Sequence, residues 1–164
     1  MTQTKSTGPM AGDPNTVVIT RDFDFPRATL FEYFTDPKKA AKWFGTPEGA
    51  ITVLFELDAR PGGTLRIHDR EAGGPIHETS GTVLEVVEPE LLSFRSSTEL
   101  NLGAPPFEAL QTVTLEEVTP KKTRVTVVVR VLSAASVPGG VPALLEGFQG
   151  GWGETFDKLQ RLLQ

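Results

Sequence analysis

The sequence predicts an α+β fold in which one curved antiparallel sheet wraps around a long C-terminal helix. Residues 16–23 have the composition of a strand, and residues 26–44 have the spacing of short helices. Residues 50–132 then divide into six strands separated by short turns, which favours antiparallel pairing. Residues 141–164 repeat apolar side chains every three or four positions, as one face of a helix does. The predicted order is therefore β-α-α-β(6)-α, and the one long helix must cover one face of the sheet.

The two short helices begin at residues suited to a first turn. Pro26 lacks an amide hydrogen, which a first helical turn leaves unused. Asp36 is placed to cap a second helix over Pro37–Phe44, and Gly45 is placed to end it. Because the two helices are joined so tightly, we expect them to act as one bent connection.

A hairpin is predicted where Thr64–Arg70 and Pro75–Val87 flank Gly73 and Gly74. If the arms are symmetric about Gly73, position 69 pairs with 77, 67 with 79 and 65 with 81. This register places an aspartate and a histidine opposite each other on the inner face, and His68 opposite Glu78 on the outer face. A shift of one residue in either arm would reverse the two faces.

The predicted C-terminal helix, Val141–Gln164, contains Gly147, Gly150, Gly151 and Gly153 inside its apolar pattern. Each glycine costs a helix interior about 1 kcal/mol relative to alanine. We expect a helix that keeps them to bring its backbone close to a sheet or a ligand. The alternative is a glycine-rich loop, with a helix that begins only near Gly153.

Composition excludes several classes of function. The net charge of −5 and the lack of a basic cluster disfavour binding of nucleic acid. Because cysteine is absent, the chain has no disulfide and no thiolate nucleophile or metal ligand. The two histidines, His68 and His77, are too few for a histidine-based zinc site. We therefore predict no metal and no cofactor.

The domain organisation follows from the distribution of apolar residues. Residues 1–15 are small, polar and rich in glycine and proline, so we expect a disordered tail. Residues 16–164 are predicted to form a single domain. A run of apolar residues long enough to span a membrane is lacking, as is a signal-peptide pattern, so a cytoplasmic protein is expected.

A sheet covered by one helix tends to leave a space between the two layers, and such spaces bind ligands. Strand alternation and helical spacing predict the residues that line it. The candidate cavity residues are Trp43, Phe44, Leu65, Ile67, Asp69, His77, Phe94, Gln111, Val113, Phe148 and Trp152. Trp43 and Phe44 are placed to gate the mouth, Phe148 and Trp152 to form the roof, and Gln111 to offer a hydrogen bond. For each of these residues, an ordinary core position is the alternative.

Asp69 and His77 are the candidate catalytic residues. A carboxylate that orients an imidazole in an apolar cavity can support acid–base chemistry near neutral pH. The alternative is a partly solvated polar pair across two strands. The chain lacks a serine in a GxSxG turn, which disfavours a nucleophilic triad. The sequence thus provides no firm catalytic set.

Several short motifs occur in an order that resembles a known family. They are residues 24–27 (DFPR), Phe31, residues 35–37 (TDP), 42–45 (KWFG), 60–63 (RPGG), Gly81, 85–92 (EVVEPELL), Phe94 and 151–154 (GWGE). Together they resemble proteins similar to the activator of heat-shock protein 90 ATPase, within the START-like, Bet v 1-like (SRPBCC) superfamily. The resemblance covers residues 16–164 and implies a helix-grip fold with a hydrophobic cavity.

The resemblance implies no single function, because relatives include lipid and hormone binders, polyketide cyclases and a co-chaperone domain. Our first hypothesis is that the cavity binds a small hydrophobic or amphipathic molecule. The second is a co-chaperone-like interaction module of the stress response with a chaperone partner. The third is a cyclase- or hydratase-like enzyme that uses Asp69 and His77. The resemblance also makes a homodimer plausible.

Overall fold

The computed structural model describes residues 13–47, 49–99, 106–134 and 137–164. The described elements follow the predicted order. They are β1 (Thr16–Phe23), α1 (Arg27–Thr35), α2 (Pro37–Ala40), β2 (Ala50–Leu57), β3 (Thr64–Glu71), β4 (Ile76–Val87), β5 (Leu91–Glu99), β6 (Phe107–Thr119), β7 (Lys122–Ser133) and α3 (Gly140–Leu163). Residues 1–12 of the predicted tail lie outside the described residues. Asn15 already accepts a backbone hydrogen bond from Val131 at 2.8 Å.

The strands form one antiparallel sheet in the order β1-β7-β6-β5-β4-β3-β2. The ladder between β4 and β5 shifts register between Val83 and Glu85, which marks an irregularity of the β-bulge type that bends a strand. Gly81 lies nearby, where an added Cβ would approach the Arg95 carbonyl oxygen to 2.6 Å. A glycine is therefore required where β4 and β5 come closest. With α3 on its inner face, the sheet has the predicted helix-grip architecture.

The second short helix is shorter than predicted. Asp36 caps it as expected, because its Oδ1 accepts the backbone N–H of Lys38 at 2.9 Å. The helix ends at Ala40 rather than Phe44, and turns follow. Consecutive residues of a regular helix point about 100° apart. The turns instead let Trp43 and Phe44 both enter the core, where their rings stack 5.4 Å apart.

The C-terminal half of α3 packs tightly on the sheet. Phe156 and Leu159 are fully buried, and the Phe156 ring meets Phe23 of β1 edge to face at 5.6 Å. The buried Arg21 guanidinium lies over Phe156 and donates to the Asp157 carboxylate at 2.6 Å. This half of the helix is fixed by both apolar and charged contacts.

The helix α3 is continuous from Gly140, so the alternative of a glycine-rich loop is wrong. It begins after Gly139, whose φ of +84° suits glycine. Of the two neighbours expected for the internal glycines, a sheet or a ligand, the structure excludes a close approach to the sheet. A Cβ added at Gly147, Gly150, Gly151 or Gly153 would meet no atom within 4 Å. Within the described residues, no helix is long and apolar enough to cross a membrane.

The exposed Gly150 provides a direct test of this helix. Gly150→Ala should raise the free energy of unfolding by about 1 kcal/mol, because alanine favours helix and the added methyl group meets no neighbour. Gly63→Ala should lower it, because a Cβ there would lie 1.9 Å from the Asp58 carbonyl oxygen. Urea denaturation measures both changes. A loss of stability in Gly150→Ala would contradict a regular helix at this point.

Candidate functional site

A cavity of about 380 Å³ lies between the sheet and the N-terminal half of α3. Inward side chains of four strands form one wall, the helix forms the opposite wall, and the turn after α2 closes one side. Its lining residues are Phe44, Gly45, Pro47, Leu65, Ile67, Asp69, His77, Thr79, Phe94, Ser96, Thr98, Phe107, Gln111, Ala143, Leu144, Gly147, Phe148, Gly151, Trp152 and Thr155.

The lining includes every predicted cavity residue except Trp43 and Val113. Trp43 is only 1% exposed and lies behind Phe44, where its Nε1 donates to the Tyr33 carbonyl at 3.0 Å. Val113 is fully buried within the sheet's core face. Both residues are core residues, and the contribution of the others to binding stays a prediction.

Aromatic rings close the inner end of the cavity. The ring of Phe44 lies 5.8 Å from Phe94 and 5.6 Å from Trp152. Gly45 has φ of +78°, and an added Cβ there would meet the Ile67 Cδ1 atom at 2.5 Å. A glycine after Phe44 is therefore needed to direct this ring into the site. These contacts make a preformed apolar floor, which we call the aromatic floor (Phe44, Phe94 and Trp152).

A buried hydrogen-bond chain holds Trp152 in place. Its Nε1 donates to Gln111 Oε1 at 2.8 Å, and Gln111 Nε2 donates to Ser96 Oγ at 3.1 Å. The Ser96 hydroxyl donates in turn to the Ala109 carbonyl at 3.5 Å. The chain therefore connects α3 to β6 and β5. Gln111 thus bonds two side chains, and the hydrogen bond that it was expected to offer a ligand stays a prediction.

The other end of the cavity is polar. Asp69 and His77 face each other across β3 and β4 in the predicted register. The Asp69 side chain is 9% exposed and that of His77 is 34% exposed. The distance of 3.7 Å from His77 Nδ1 to Asp69 Oδ1 is too long for a hydrogen bond. The hydroxyl oxygens of Thr79 and Thr98 lie 3.1 Å apart on the adjacent strands.

Burial controls the charge of this polar end. Desolvation raises the pKa of Asp69 above its ordinary value, and the nearby Glu71 adds to the increase. The histidines His77 and His68 oppose it by favouring the charged carboxylate. On the outer face His68 lies 3.2 Å from Glu78, as the register predicted. Among the described residues, Asp69 and His77 are not part of any group of three that could hold a metal ion.

Several lining residues were missed, although the sequence contained signals for some of them. Thr79, Ser96 and Thr98 share strand faces with predicted residues, so period-two alternation could have identified them. Gly147 and Gly151 are four positions apart, on the helix face that also presents Phe148 and Trp152. Glycines at these positions leave space open in front of the helix.

A curved antiparallel sheet, a long C-terminal helix and the cavity between them define a helix-grip protein. The chain belongs to the family described as activator of Hsp90 ATPase homolog 1-like protein, whose model matches residues 24–164. The search of curated proteins produced no match.

Solved structures of bacterial proteins share the fold. A Chromobacterium violaceum protein has 27% identity and a TM-score of 0.73, with 91% of this chain and 96% of the other covered. A Mycobacterium smegmatis protein has 22% identity and a TM-score of 0.77, with 100% and 98% covered. The AHSA1 protein from Silicibacter pomeroyi has 21% identity and a TM-score of 0.75, with 90% and 96% covered.

The hydrogen bond between Trp152 and Gln111 can be tested by removing its acceptor. Gln111→Leu should lower the free energy of unfolding by about 1–3 kcal/mol, because the buried indole N–H loses its partner. Ser96→Ala should cost less, since it leaves the indole bond intact. Urea denaturation of both variants gives the comparison. An equal effect of the two substitutions would contradict a special role for the indole bond.

The raised pKa of Asp69 predicts a pH-dependent stability. Because the folded state binds the proton more tightly, the stability from this group is fully present below the unfolded pKa of 3.8. It is lost as the pH rises through the folded pKa. Asp69→Asn should therefore stabilise the protein most near pH 8, with an advantage that declines as the pH approaches 3.8.

Thermal unfolding between pH 4.5 and 8 measures this difference. Glu78→Gln is the matched control, because it removes one carboxylate from the exposed face of the same hairpin. The Asp69 assignment is wrong if the gain in melting temperature for Asp69→Asn is independent of pH.

Proposed function

We propose that the protein binds a small hydrophobic or amphipathic molecule in the cavity between the sheet and α3. The observation that carries this proposal is the open space of about 380 Å³ above the aromatic floor. Protein interiors pack with few voids larger than a water molecule. A space of this size lies in the range of small-molecule sites, about 300–1,000 Å³.

The arrangement of the walls supports an amphipathic ligand. Aromatic and aliphatic side chains surround the inner part, whereas Asp69, His77, Thr79 and Thr98 lie at the other end. The hydrogen bonds of Gln111 and the ring contacts of Phe44 hold the apolar part in one arrangement. A preformed site reduces the entropy lost on binding.

A co-chaperone-like role is the second candidate, and the family's description supports it. Stimulation of the ATPase activity of an Hsp90-type chaperone by the purified protein would test this role. The predicted homodimer and cytoplasmic location belong to the same proposal. The cyclase- or hydratase-like role of Asp69 and His77 stays a prediction. Turnover of a substrate by wild type, and its loss in a folded His77→Ala variant, would support this role.

Two adjacent glycines of α3 allow a matched test of ligand binding. Both glycines are exposed, but Gly151 lines the cavity and Gly150 does not. Gly151→Leu should place a side chain in the ligand space and weaken binding of the neutral dye N-phenyl-1-naphthylamine at least about tenfold, which is 1.4 kcal/mol. Gly150→Leu should bind the dye as wild type does. Dye fluorescence measures the affinity, and circular dichroism confirms that both variants are folded.

Failure of wild type to take up the dye, or an equal loss in both leucine variants, would contradict the cavity as the binding site. Native mass spectrometry of freshly purified protein provides an independent observation, since a retained ligand would add its mass to the chain.

A further inference from the structure

We propose that the ligand of this cavity is an amphipathic amine, with its apolar body on the aromatic floor and its ammonium group bound to Asp69. This inference rests on the proposed function and specifies the chemistry of its ligand. Three features support it: a carboxylate that accepts no hydrogen bond from a described residue, a described lining without lysine or arginine, and the inward-facing series of Leu65, Ile67 and Asp69.

The Asp69 side chain is 9% exposed and faces the cavity, and its carboxylate accepts no hydrogen bond from a described residue. The whole residue is 6% exposed, and its one ion-pair partner among the described residues, His77, lies 3.7 Å away. Among the described residues, neither carboxylate oxygen accepts a hydrogen bond of ordinary length. Leaving a carboxylate buried and unbonded is unfavourable. Because Asp69 faces the cavity, a bound molecule can supply the missing N–H donors.

The charges around Asp69 favour a cationic head group. Asp69 and His77 are the titratable residues of the described lining, which contains neither lysine nor arginine. Two further charged residues affect the pKa of Asp69. Glu71 is also acidic and raises it, and His68 on the outer face lowers it. A fatty acid or a phosphate would meet a like charge there, and the described lining has no lysine or arginine to bind it.

Neighbouring hydroxyl groups can complete the binding of an ammonium group. Thr79 is two residues from His77 on the same face of β4, and Thr98 is its partner on β5. Their hydroxyl oxygens lie 3.1 Å apart and line the cavity. An ammonium group has three N–H donors, so a carboxylate alone does not use them all.

The length of β3 sets the size of the apolar body. Leu65, Ile67 and Asp69 project inward in turn, and an extended strand advances about 13 Å over the four steps from residue 65 to 69. This span suits an alkyl chain of about ten carbons that lies along β3, with its ammonium group at Asp69.

The experiment compares decylammonium, decanol and decanoate at pH 7.5, below their micellar concentrations, by isothermal titration calorimetry. The three probes each have ten carbons, of which the carboxyl group of decanoate includes one, and they differ chiefly in the charge of their head groups. Wild type should bind decylammonium at least about tenfold more tightly than decanol, and decanoate more weakly than both. Asp69→Asn should lose the preference for the amine and keep the affinity for decanol.

Glu78→Gln is the control for net charge, because it removes one carboxylate from the outer face opposite His68. It should keep the amine preference of wild type. Asp69→Ser serves as a second variant if Asp69→Asn fails to fold. The comparison of the three probes on wild type does not depend on the folding of either variant.

The outcomes separate this inference from the proposed function. If the neutral dye and all three probes fail to bind folded wild type, the cavity does not bind ligands and both proposals are wrong. If decanol or decanoate binds as tightly as decylammonium, the binding function stands and the amine inference is overturned. The amine inference is also overturned if Asp69→Asn keeps the preference for decylammonium. It is overturned as well if Glu78→Gln removes that preference.

Discussion

The hydrogen bond from Trp152 to Gln111 lies at the boundary between the solid core and the cavity. On its C-terminal side, Phe156 and Leu159 fill the space between α3 and the sheet completely. On its N-terminal side, Gly147 and Gly151 present no side chain, so the helix stands over an open space. Because the indole is bonded to a strand 41 residues away, helix and sheet keep one separation at this point.

The two halves of α3 therefore have different physical roles. The packed half contributes apolar burial and the ion pair between the buried Arg21 and the exposed Asp157. The other half gives up helix propensity at its glycines and leaves apolar surface without a partner. These features, together with the carboxylate of Asp69 in the cavity wall, lower stability, and they are what the proposed binding site requires.

The fold by itself does not determine which molecule occupies this site, since one architecture supports many functions. The membership of the Hsp90 ATPase activator-like family is consistent with binding of a ligand or a chaperone. The inference about the ligand therefore depends on the polar end of the cavity, where a carboxylate, an imidazole and two hydroxyl groups lie beyond an aromatic floor.

The sequence by itself determined the strands, the long helix and the pairing of Asp69 with His77. These features depend on local periodicity and on a hairpin whose turn sets the register, so neighbouring residues suffice to predict them. Only the tertiary structure decided that Trp43 is core while Phe44 lines the cavity, and that Gln111 bonds Trp152. Those outcomes depend on contacts between residues distant in the chain, and on the closure of α3 over the sheet, which no local pattern encodes.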